Sequence, residues 1–242
     1  MSRTACSRWV TVRRSLSLCL VGLAIGCLDL QAPATCAGQD TEAEAPSRVA
    51  GRTLDQWRGE LESNSEVARL RAVKSLASFG DASVDALVAA MDDSSEAVRY
   101  WAASALGDLG QSATSARPTL IACLERSESA AEQLSLSYAL LRTLPTDEDD
   151  VAESIKQDPA FATLLAGLRH EERSHVMCSA DFLGRLGPAG SAAVELLETV
   201  YYENHADENP IRKSDADYHL SGACLNALRA INPRWQPTRF AQ

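Results

Sequence analysis

The sequence predicts an all-α fold, an α-solenoid (superhelix) of about five stacked helical hairpins. Three observations predict it. One segment recurs without gaps at an offset of 30 residues. Within each copy apolar residues return every third and fourth position, the period of a helix with one buried face. Helix-starting and helix-stopping residues stand at the ends of the copies.

The two best copies are residues 67–80 (VARLRAVKSLASFG) and 97–110 (AVRYWAASALGDLG). Arg69 falls on Arg99, Ala72 on Ala102, Leu76 on Leu106, Phe79 on Leu109 and Gly80 on Gly110. Looser copies lie at 133–145, 175–187 and 220–232, where Leu141, Leu183 and Leu228 take the Leu106 place and Leu144, Leu186 and Ile231 the Leu109 place. A shorter apolar-periodic segment precedes each copy, at 54–61, 84–91, 118–124, 161–168 and 192–200. Ser63-Asn64-Ser65-Glu66 reads as a capping box and Asp93-Ser94-Ser95-Glu96 as its aspartate variant. Pro118 suits a first helical turn, and Gly80, Gly110 and Gly187 suit helix C-termini. Each unit is thus a pair of helices with one apolar face apiece. A lone pair cannot bury those faces, so the units must stack.

The pattern Asp92-x6-Arg99-x2-Ala102-x3-Leu106-x2-Leu109-Gly110 resembles the HEAT repeat. That resemblance implies that Asp92 and the arginines Arg69 and Arg99 tie one repeat to the next. The first unit has Glu62 in place of the aspartate, and the last three have Leu134, Val176 and Ser221 in place of the arginine. The resemblance covers residues 51–235, with a tail at 236–242 and Trp235 expected to cap the open end of the last repeat. Two insertions, the acidic stretch 146–158 and the long turn 203–217, read as solvated loops.

Residues 1–37 read as a targeting segment. Arg3, Arg8, Arg13 and Arg14 form a basic n-region, followed by the apolar run LSLCLVGLAIGCL at 16–28, too short to span a bilayer. Two cleavage readings stand side by side: a lipobox ending at Cys27, which would become lipidated, or a small-residue site at Thr35-Cys36-Ala37. Residues 38–50 then form a flexible polar linker. This places the folded part outside the cytoplasm, periplasmic or extracytoplasmic, with membrane contact only through a lipid anchor. With 45% hydrophobic and 23% charged residues the chain has the composition of a globular protein. Its formal charge is -10, and beyond residue 37 there are 19 Lys+Arg against 32 Asp+Glu with no basic stripe, which excludes a nucleic-acid partner.

No catalytic constellation appears: GxSxG, a glycine-rich phosphate loop and kinase signatures are all missing. Glu171-Glu172 beside Arg173 and His175 reads as a solvated turn. Cys123, Cys178 and Cys224 read as small buried thiols, with a Cys178–Cys224 disulfide as the alternative. Asp215, Asp217 and His219 could be imagined as a metal-dependent hydrolase site, but the plainer reading is a polar turn entering a helix. Neither cofactor nor metal is expected. The second helices should line the concave side, presenting Arg71, Lys74 and Ser78; Trp101, Ser104 and Asp108; Leu136, Ala139 and Thr143; Asp181 and Arg185; and Asn226. Trp101, at the rim of that face, is either an anchor for a partner or packed against the next repeat. The sequence therefore predicts a non-catalytic scaffold of the cell envelope that binds another protein. The resemblance offers one more alternative: some HEAT-like families include bilin lyase subunits, which would imply an accessory role in cofactor attachment.

Overall fold

A computed structural model describes residues 46–145, 151–205 and 215–237. Everything described lies in one compact unit, Ala43–Gln242. The expected signal segment with Cys27, most of the linker and the end of the tail lie outside the described residues.

Among its described residues the regular elements are all helices. Its hairpins pair α1 (Leu54–Glu60) with α2 (Glu66–Leu76), α3 (Val84–Ala89) with α4 (Glu96–Leu109), and α5 (Arg117–Arg126) with α6 (Ala130–Arg142). An additional helix, α7 (Val151–Gln157), precedes the pairs α8 (Pro159–Gly167) with α9 (Arg173–Arg185) and α10 (Val194–Asn204) with α11 (Asp215–Ile231). The repeat positions do what their spacing predicts: Ala72, Ala102, Leu76, Leu106, Leu183 and Leu228 are all fully buried. The second helices α2, α4, α6, α9 and α11 lie side by side as one continuous row. The first helices meet mainly through short 3-10 segments that follow α2, α4 and α9, at Ala77–Ser83, Gly110–Ala116 and Gly187–Ala193. Gly80, Gly110 and Gly187 turn the chain there at φ of 61°, 57° and 60°, values that a side chain strains to adopt.

Three local expectations are corrected. The cap of α2 is Ser65, two residues past Ser63, and α4 starts at Ser95, whose side chain makes no cap bond. A reciprocal capping box stands instead at α1, between Thr53 and Gln56. The acidic insertion is not loop along its described length: α7 buries Ile155 and packs on the 3-10 segment Gly187–Ala193. Trp235 does pack on the last repeat as expected: it is buried on α10, where its indole N–H donates to Glu198 at 2.5 Å and its ring meets Tyr201 edge-on at 5.6 Å.

Close approach of the second helices is carried by glycine at one register position. Gly107 in α4 and Gly184 in α9 each stand twelve residues past the helix cap. A Cβ at Gly107 would come within 2.5 Å of the Tyr138 ring, and one at Gly184 within 2.8 Å of the Ala227 Cα.

Candidate functional site

Two constellations occupy the second-helix row, one structural and one open. The structural one is a ladder of arginine–carboxylate pairs. Arg69 donates from Nε and Nη2 to Asp93 at 2.7 and 2.9 Å, and Arg99 donates from Nε and Nη2 to Glu132 at 2.9 and 3.0 Å. Forked geometry of this kind suits a guanidinium, and it carries more energy than a point contact. The third nitrogen of each arginine caps a carbonyl six residues back, Ser63 for Arg69 and Asp93 for Arg99, each at 2.9 Å. The Arg69 guanidinium holds the Asp93 carboxyl below the usual carboxylate range, against the opposing effect of burial and with help from the Ser95 N–H. Serine hydroxyls bridge the same junctions: Ser95 donates to Glu66 at 2.6 Å, and Ser129 donates to Glu96.

Asp92, the acid expected to tie repeats, is exposed and pairs with Arg126 at 2.5 Å. That pair does join the second repeat to the third, but the acids that hold the ladder arginines are its neighbour Asp93 and Glu132. The Arg99 place in the third repeat is Gln133, not Leu134: it stands four residues past its cap, as Arg69 and Arg99 do, and donates to the Ser127 carbonyl at 2.7 Å. In the fourth repeat both acid places hold histidine. His170 matches Asp93, accepting the N–H of the cap residue Glu172 at 3.0 Å, and His175 matches Glu132. The ladder ends there.

The row expected to meet a partner divides in two. Its centre is closed by a clasp between α4, α6 and α9. Arg185 donates to Ser104 at 3.1 Å, pairs with Asp108, and lies 4.7 Å over the Tyr138 ring. Tyr138 donates to Asp108 at 2.8 Å and stacks on Phe182 at 4.8 Å, while Tyr100 donates to the Cys178 sulfur at 3.7 Å. Burial pushes the Tyr138 and Tyr100 hydroxyls well above their usual range, so both remain donors at neutral pH. Ser104 is therefore buried and engaged rather than presented, and Leu136, Ala139 and Thr143 are buried with it. Asp108, Asp181 and Asn226 are exposed, and Arg185 is partly so.

At the α2 end the row is open. Arg71, Lys74 and Ser78 are exposed, and Trp101 is 38% exposed. Trp101 reaches back to the preceding repeat, where the Lys74 ammonium sits 3.9 Å from its ring centroid. Beside them lies a groove of about 340 Å³ lined by Val49, Val67, Leu70, Arg71 and Lys74. Val67 is 72% exposed, and Val49 is fixed by the Trp57 indole donating to its carbonyl at 2.9 Å.

The three cysteines are free, without the Cys178–Cys224 bridge, and burial pushes the Cys224 thiol up to about 11. Among the described residues no three His, Cys, Asp or Glu side chains converge on a metal position. Residues 215–219 are helical and His219 is exposed, while the side chains of Asp215 and Asp217 lie outside those described. No described helix is long and apolar enough to cross a membrane.

Paired helices stacked in register, with a continuous second-helix row, define an all-α solenoid. Comparison with known families gives the particular kind for its first part: residues 54–141 match the family of HEAT repeats. Among curated proteins none matches the chain. HEAT repeats are generally protein-interaction scaffolds and typically non-enzymatic.

Proposed function

We propose that this chain is a non-catalytic scaffold exported to the cell envelope, where the row of second helices holds a protein partner. The observation that carries the reading is the contrast along that row. Its centre spends its polar groups on the Arg185 clasp, while its α2 end leaves Arg71, Lys74 and Trp101 at the surface. A partly exposed Trp beside Arg71 and Lys74 has the composition of a binding hot spot. Export rests on the basic n-region and the apolar run at 16–28, and membrane contact on lipidation of Cys27. Cross-linked capture from the cell envelope with the full chain tests the partner: a specific protein retained at low salt is expected, and its absence sinks the reading. Mass spectrometry of the mature N-terminus decides export, with a chain beginning at Met1 as the result against it.

A further inference from the structure

We propose that the groove at the α2 end receives a short acidic segment of a partner protein, an apolar side chain flanked by carboxylates. This rests on the scaffold reading and names the chemistry of its partner. The groove supplies both halves of the match. Val49, Val67 and Leu70 form an apolar floor and wall, and Val67 is left 72% exposed, far more than a valine on a covered helix face. Arg71 and Lys74 stand at its edge. Neither has a carboxylate partner among the described residues, Lys74 resting on the Trp101 ring instead.

Both ladder arginines hold a carboxylate by two nitrogens, and even exposed Arg126 has found Asp92. Acids outnumber bases by 33 to 23 along the chain, yet the lining of this groove holds two cations and no acid. A second depression has the opposite charge. It runs along the ladder loops and is lined by Asp92, Asp93, Glu96, Glu128 and Glu132 against two arginines. An acidic partner is thus steered to one end of the row, and a basic one is directed away from it. Trp101 stands next to the groove, its ring bearing the Lys74 ammonium.

The test uses the full chain and three labelled ten-residue peptides: alternating Leu and Glu, the same with Gln for Glu, and the same with Lys for Glu. The glutamate peptide should bind about tenfold more tightly than the glutamine one at low salt, a preference that shrinks at about 0.5 M salt. The lysine peptide should not bind. The double variant Arg71→Glu with Lys74→Glu should lose the preference, whereas Arg229→Glu, a charge reversal on exposed α11 surface, should keep it. Equal binding of the three peptides, or a preference that survives in the double variant, overturns the proposal. Thermal melts establish that both variants fold. Envelope capture separates the two readings. A partner retained equally by the wild type and the double variant keeps the scaffold and removes this site; a peptide preference with no captured partner does the reverse.

Discussion

The first three repeats and the last two solve one packing problem by different means. Between α2 and α4 the junction is electrostatic, with Arg69 on Asp93. Between α9 and α11 no arginine fork is present; Gly184 lets the helices approach until Ala227 sits where a side chain would begin. The α4–α6 junction uses both devices, Arg99 on Glu132 and Gly107 under Tyr138. The α6–α9 junction uses neither, and there the Tyr138–Phe182 stack and the Arg185 clasp take over. A HEAT-type stack therefore needs a seal at each junction but not the same seal. The repeat fixes where two helices meet, and local residues decide whether charge, close approach or aromatic bridging holds them.

This contrast can be broken from either side. The largest effect is expected from Gly184→Val, which forces side-chain atoms into the α11 backbone: a loss of about 3 kcal/mol in urea unfolding. A loss below about 1 kcal/mol would show that the close approach is not what seals that junction. Next, Glu132→Ala leaves Arg99 without its buried acceptor and should cost about 2 kcal/mol, with Arg99→Ala adding little on top of it in a double-mutant cycle. Full additivity of the two would mean that the pair does not act as a unit.

Arg185→Ala should cost about 1 kcal/mol, because its contacts are partly solvated, and should increase the radius of gyration by scattering as α4 and α9 are released. An unchanged radius would reduce the clasp to decoration. Asp93 gives the ladder a pH signature. Its folded carboxyl lies below the unfolded value of about 3.9. The stabilisation is therefore present above about pH 4 and lost as pH falls through the folded value. The stability difference between wild type and Asp93→Asn should shrink across that acid window and stay flat from pH 5 to 8. The smallest change carries the opposite sign: Gly222 in α11 has open space beside it, so Gly222→Ala should stabilise by about 0.5–1 kcal/mol through helix propensity alone.

The contrast also shows which features a sequence displays. Positions whose role comes from helical period were readable: Ala102 and Leu106 had to be buried because one stripe per helix must be covered. The glycine stops were readable for the same local reason. The ladder acids were misplaced by one residue at Asp92, since the repeat frame does not say which of two adjacent aspartates turns toward Arg69. Glu132 did carry a signal, standing three residues past Ser129 in a capping-box spacing, but its partner Arg99 lies in another repeat. The clasp had no such signal. Tyr100, Asp108, Tyr138, Phe182 and Arg185 come from three repeats, and Arg185 reaches Asp108 across 77 residues.

Alone, the sequence determined that the chain forms helical hairpins, which face each buries and where each stops, because those follow from the 3.6-residue period and from backbone conformations that glycine adopts cheaply. Tertiary structure decided which part of the second-helix row stays open. That outcome depends on how far successive repeats rotate, a small angle per junction that accumulates until α9 side chains meet those of α4. Rotation is set by side-chain volumes and pairings at every junction together, so no single segment encodes it.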